Sequence, residues 1–378
     1  MTTVTTAVPV IGSCSHHFDI SQLPSVKNGM SVEEEAMKRR KTCRFVEEAG
    51  RVMKLPRVAI STAMVFFHRF YAKHAFQEHD RFEVAVAALV LAAKTEEAPK
   101  KLNTVIQECY KLKTRAMQAG RLSQQRNQNG GSMPVSMSPK DTMTNESPSS
   151  SYLDTKGEDF LKLKERILLL ERIILHTIGF ELSIDHPYKF FVEQIKKLIH
   201  MRQLKYSASK ADSKNINNKS NSKVMSKMMN ELVQYSMSTA NDSYQTSLCL
   251  QFGPKQIATA CVYLACMFSG VEPQNGDWKK TLFDDNSNGS SSHDSDYDVE
   301  SLVSVCVQVI DLIAEKKASD TESVRKIRKA LELLKNHREE AGNATVASTT
   351  GGKSPRSPPP PRPPPPPSEE SSNKRPRV

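Results

Sequence analysis

Residues 84–93 read VAVAALVLAA, an unbroken apolar run that stops at Lys94, with Glu96, Glu97 and Pro99 just beyond. A helix that is apolar on nearly every face cannot lie on a protein surface and must be surrounded by other elements. The run is about half the ~20 residues needed to cross a bilayer. It therefore predicts a bundle of helices wrapped round a central one. What remains to be explained is why so oily a helix finishes in a tight cluster of opposite charges.

The flanking segments supply the surrounding helices. Over 32–55, Cys43, Val46, Ala49 and Met53 recur at three- and four-residue intervals, the helical period. Pro56 stands at the start of the next helix, where its missing N–H costs nothing, and Ile60, Met64, Phe67 and Tyr71 form that helix's stripe. A fourth helix is expected from about 99 to 113, with Leu102, Val105, Ile106 and Cys109 inward. A fifth, DFLKLKERILLLERIILHTIGF, ends at Gly179, a plausible C-terminal cap. No segment alternates convincingly with period two, so no β structure is expected.

The plan then repeats. Helices are expected at 186–200, 222–247, 253–270, 274–283 and 298–316, and IATACVYLACMF at 257–268 has the packing character of 84–93. Pro254 opens its helix as Pro99 is expected to open its own. A last amphipathic helix places Val324, Ile327, Leu331 and Leu334 on one stripe.

Between these helices the composition changes. Residues 114–156, 205–222 and 284–297 are rich in Ser, Asn, Gln, Gly and Asp, and from about 342 the chain runs into PPPPRPPPPP. Such stretches cannot bury enough apolar surface to offset ordering and are expected to be disordered. The net charge of +11 would suit an acidic partner, but the basic residues are scattered rather than set in one motif. The seven cysteines form no C-x-x-C pair, which points to reduced core thiols. With no basic start or long apolar core at the N-terminus, a soluble intracellular protein is expected.

The stretches HRFYAKHAF (68–76), LAAKTEEAPKKLNTVI (91–106) and LERIILHTIGFELSIDHPYKFF (170–191) resemble the cyclin box of the transcriptional cyclins, with cyclin T and cyclin K the nearest types. The resemblance covers 31–113 and 157–270 well and 271–316 thinly. It implies an all-α architecture of two tandem five-helix cyclin folds, with disordered insertions and a Pro-rich tail. The expected organisation is a flexible segment 1–30, a first fold 31–181 containing the insert 114–156, a second fold 182–318, an amphipathic helix 319–341 and a basic tail 342–378. In the family, a Lys ending the third helix and a Glu in the fifth stand together on the kinase-facing surface. The matching positions are Lys94 and Glu171, and Glu97 matches a further contact position.

The function implied is a regulatory cyclin subunit, not an enzyme. It would activate a cyclin-dependent Ser/Thr kinase acting on the C-terminal domain of RNA polymerase II, promote elongation and reside in the nucleus. Neither cofactor nor metal is expected, nor a membrane, and direct nucleic-acid binding stays open. The alternative is a general transcription factor resembling transcription factor IIB, which shares the tandem fold but binds DNA and TATA-binding protein. The missing N-terminal zinc ribbon and the intact K-x-E-E with Glu171 argue against it. His68, Arg69 and Tyr71 read mostly as core, and Cys261 and Cys266 as buried thiols. His16 and His17 make a weak metal motif. Ser-Pro steps at Ser138, Ser147, Ser354 and Ser357 suit a proline-directed kinase, and Lys374, Arg375 and Arg377 form a short basic cluster fit for nuclear import. The start CSHHFDIS would carry Phe18 as the anchor of a degenerate aromatic turn.

Overall fold

The computed structural model describes residues 19–128, 153–207, 221–283, 294–317 and 322–347. Residues Met1–Glu332 form one compact unit and Leu333–Val378 another. In the first unit a 3-10 turn, Ile20–Gln22, leads into α1 (Pro24–Lys27), α2 (Val32–Val52), α3 (Arg57–Phe70), α4 (Arg81–Thr95), α5 (Leu102–Gln128) and α6 (Glu158–Thr177). There follow α7 (Pro187–His200), β1 (Leu204–Tyr206), α8 (Asn221–Ser243), α9 (Leu248–Gln251), α10 (Pro254–Ser269), β2 (Val271–Pro273), α11 (Trp278–Phe283) and α12 (Asp294–Lys317). The last helix, α13, is Glu322–Ala347; its turns in the first unit bury Val324, Ile327 and Leu331. In the second unit Leu333 is exposed.

Local chemistry starts these helices where they start. Ser31 caps α2 by accepting from Glu34 N, and Asp80 caps α4 by accepting from Phe82 N and Glu83 N at 3.0 Å each. Gly50 lets α2 lie close to α3, because a Cβ there would stand 2.5 Å from Ile60 Cγ1. Gly179 closes α6 with φ 64°, the left-handed conformation that glycine adopts freely.

The apolar run is central. None of residues 84–93 is more than 6% exposed, and α4 packs on α2, α3, α5 and α6. In the later half α10 has the same role, with residues 260–266 wholly buried and α7, α8 and α12 around it. Arg39 is buried across the top of α2 and α3. It donates to Glu35 Oε1 at 2.6 Å, to His68 O at 3.3 Å and to Tyr71 O at 2.9 Å. His68 and Tyr71 are core residues, while Arg69 reaches Glu181 at 3.1 Å. The six described cysteines are free; burial pushes the Cys109 and Cys249 thiols up to about 12. Among the described residues no helix is long and apolar enough to cross a membrane.

Several expectations about irregular segments need correction. Residues 19–30 are structured, because Leu23 and Met30 find apolar cover at 2% and 7% exposure. The fourth helix begins at Leu102, so Pro99 lies in the connection before it, and it continues to Gln128, well into the segment expected to be disordered. Its polar residues are good helix formers, and nothing in their composition forbids the extra turns. Tyr206 lies in β1, α8 starts at Asn221, α12 at Asp294, and α13 reaches Ala347. There is also a β element: Leu204, Lys205 and Tyr206 pair antiparallel with Pro273, Glu272 and Val271. Strands of three residues are too short for a period-two pattern to register.

Candidate functional site

The charges after the apolar run are sorted by the way α4 ends. Ala98 N donates to Ala93 O at 2.9 Å and Glu97 N to Lys94 O at 3.3 Å, while Glu97 has φ 54°. This is a Schellman closure with glutamate where glycine is usual. It turns three charged side chains in three directions.

Lys94 reaches across to α6. Its Nζ donates to Glu171 Oε1 at 2.7 Å and Oε2 at 3.0 Å. The lysine side chain is 55% exposed and the glutamate only 10%. Glu171 is held low because its neighbours Leu170 and Ile174 face the core, at 7% and 0% exposure. The two residues therefore form one rim feature, a cation in water over a carboxylate recessed in the helix surface. Along α6 Leu161, Leu168 and Leu169 are exposed; Leu168, three residues before Glu171, lies on the same side of the helix as the pair.

Glu96 turns inward. Thr62 donates its hydroxyl hydrogen to Glu96 Oε1 at 2.7 Å, so its oxygen accepts from His186 Nε2, 2.9 Å away. His186 Nδ1 then accepts from Tyr244 OH at 2.5 Å. Each hydroxyl has one hydrogen, so the order of donors fixes the tautomer of His186. A parallel contact sits alongside, in which Tyr188 OH is 2.7 Å from Ser61 Oγ and donates to Asn241 Oδ1 at 3.0 Å. Glu97 remains exposed, in the left-handed conformation. Lys54 and Arg202 have similar positive φ at other helix ends, so the conformation alone does not mark Glu97 as functional.

Both buried histidines are held neutral. Burial, aided by the positive charge of Arg39, lowers His68 to about 3. Burial lowers His186 to about 4. In the unfolded chain both titrate near 6.5, so unfolding takes up protons between that value and the folded ones. Stability from this source is complete above pH 6.5 and falls as the pH drops towards 4. Denaturant unfolding is expected to show a loss of about 3–4 kcal/mol between pH 7 and pH 5. A His68→Gln, His186→Gln variant that keeps the full acid slope would contradict this assignment.

Of the residues singled out in the sequence, the structure brings Lys94 and Glu171 into contact and leaves Glu97 exposed nearby in the chain. His16, His17, Phe18, Ser138, Ser147, Ser354, Ser357, Lys374, Arg375 and Arg377 lie outside the described residues. Sequence reasoning missed Glu96, Thr62, His186 and Tyr244 as a set. His186 stood inside a motif-bearing stretch, but nothing in one sequence places it beside Thr62, 124 positions away.

An oily central helix is thus ringed by its neighbours, with a Lys–Glu pair on the rim. Residues 15–183 match the family model described as "Cyclin, N-terminal domain". Cyclin-T1-5 of Arabidopsis thaliana is 30% identical over 255 residues, covering 67% of this chain and 34% of that protein. Human Cyclin-K is 28% identical over 306 residues, covering 79% of this chain and 40% of its own length. The chain belongs to the transcriptional cyclin family. It spans between about a third and two fifths of the length of these relatives. A chain of the yeast RNA Pol II CTD kinase CTDK-1 complex aligns over 75% of this chain and 68% of that one, at 17% identity and a TM-score of 0.45, too low to add to the assignment.

Proposed function

We propose that this chain is the regulatory cyclin subunit of a transcriptional cyclin-dependent Ser/Thr kinase that phosphorylates the C-terminal domain of RNA polymerase II. The observation that carries this reading is the Lys94–Glu171 pair. It is preformed, accessible from one side, and held by two packed helices. A partner docking there finds charges whose rotamers are already restricted, so little side-chain entropy remains to be lost. The exposed Leu168, three residues before Glu171 on α6, offers apolar contact beside the polar one. The cyclin supplies no reacting group. By binding the active form of the kinase better than the inactive one, it holds helix αC inward, so that the αC glutamate pairs with the β3 lysine.

The same proposal includes two cyclin folds at 31–181 and 182–318, which the repeated arrangement about α4 and α10 supports. It also includes a nuclear location and a role in elongation. Co-purification of a kinase with the chain, followed by assay on a polymerase-tail peptide, tests the reading. Salt-dependent DNA binding with no kinase recovered would favour the transcription factor IIB-like alternative.

Glu97 allows a clean separation of roles. Glycine there relieves left-handed strain of roughly 1–2 kcal/mol but frees the unfolded chain, and the two terms largely cancel. Glu97→Gly is expected to leave thermal stability within about 1 kcal/mol of wild type while weakening kinase capture. Unchanged capture would remove Glu97 from the docking surface.

A further inference from the structure

The turn joining α3 to α4 brings together three side chains that the cyclin reading leaves without a task. His74, Glu78 and His79 each offer one ligand-type atom, and these atoms lie within 4.8 Å of one another. The two histidines are half-buried and Glu78 is exposed, so the cluster opens to solvent on one side.

The cluster is built rather than fortuitously close. His74 stacks on Phe70 with ring centroids 4.4 Å apart, and His79 meets the same ring edge-on at 5.3 Å. Thr177 gives its hydroxyl hydrogen to Ile173 O at 2.7 Å, so at 3.0 Å from His74 Nε2 its oxygen can only accept. His74 is thereby held with the hydrogen on Nε2 and the lone pair on Nδ1. An imidazole whose second nitrogen donates to a fixed acceptor is the arrangement that orients metal-binding histidines. The His79 ring makes no hydrogen bond among the described residues. Glu78 accepts from Ala75 N with one oxygen at 3.2 Å, and the other remains for a ligand. The backbone of the turn is pinned on both sides, by Tyr71 OH donating to His79 O at 3.0 Å and by Phe76 N donating to Ser25 Oγ at 2.9 Å.

We propose that this turn binds one zinc ion through His74, Glu78 and His79, with water as the fourth ligand. Two imidazoles and a carboxylate form a mixed nitrogen–oxygen set that suits zinc and not the all-oxygen preference of calcium or magnesium. Tetrahedral zinc with bonds of about 2.0–2.1 Å brings its ligand atoms to roughly 3.3 Å of one another. The three atoms must therefore draw in, which the exposed Glu78 side chain and the short turn permit. The bound ion ties the turn to the end of α6 through His74 and Thr177. This inference stands apart from the kinase reading.

The test is titration of the full chain, stripped with a chelator, with zinc chloride against a chromophoric competitor, alongside His79→Gln and Glu78→Gln. Wild type is expected to take up one equivalent that His79→Gln binds at least about ten-fold more weakly. Zinc should raise the thermal midpoint of wild type alone, and cobalt should give a visible tetrahedral spectrum that His79→Gln lacks. Equal zinc affinity and equal cobalt spectra in wild type and both variants would overturn the site. That comparison also disposes of uptake at His16, His17 or the thiols, which the substitutions leave untouched. If His79→Gln melts early without metal, Glu78→Gln carries the same comparison, because its side chain is exposed.

Discussion

Glu171→Ala is expected to reduce kinase binding by between about 30-fold and 4,000-fold, the equivalent of the 2–5 kcal/mol typical of a desolvated charge pair that loses one partner. Lys94→Ala is expected to do the same. The two variants should differ in their own stability, because the pair is unequally buried. Removing Glu171 leaves a lysine that is 55% exposed and simply returns to water. Removing Lys94 leaves a carboxylate only 10% exposed with no cation over it, at a cost of about 1–3 kcal/mol. Calorimetry should therefore find Glu171→Ala close to wild type and Lys94→Ala lower-melting, with both deficient in kinase capture and in activity on a polymerase-tail peptide. Wild-type recovery of kinase by both variants would end the docking assignment, whatever their stabilities.

The second large effect belongs to the core. Arg39→Met is expected to destabilise the protein by about 3–5 kcal/mol, because it strands the Glu35 carboxylate where both side chains are almost fully buried. Burial already raises the Glu35 carboxyl despite the pull of Arg39, so the ion pair is costly to form and costlier to break. The carbonyls of His68 and Tyr71 lose a donor in the same change. Replacing both partners, as Arg39→Met with Glu35→Leu, is expected to recover much of the loss, since a buried pair can often be exchanged for apolar residues of similar volume. Thermal melts of the single and double variants decide the matter. A double variant less stable than Arg39→Met would show that the pair is net stabilising.

The apolar positions were legible because burial imposes a period. Cys43, Val46, Ala49, Ile60, Met64, Phe67 and the whole of 84–93 are core residues in the structure as their spacing implied. The Lys94–Glu171 pairing was reached only through resemblance, since residues 77 positions apart carry no local sign of contact. Three features were hidden for physical reasons. A helix such as α5 can continue through polar residues once its first turns are packed. The short β1–β2 ladder is held by backbone bonds that need no side-chain pattern. The Arg39 centre and the Glu96–Thr62–His186–Tyr244 chain are tertiary hydrogen-bond networks, and most of their contacts join residues too far apart in the sequence for any local pattern to register.

That last chain has a consequence for how the molecule can be divided. Glu96 is neighbour to the rim charges and is held by Thr62 of α3, whose oxygen is in turn met by His186, beyond α6. A fragment ending after the first five-helix set would retain Lys94 and Glu171 but leave Thr62 without His186. The corner that presents the charges would then be steadied from one side only. The later half of the protein thus acts as a brace for a surface it does not itself contribute to.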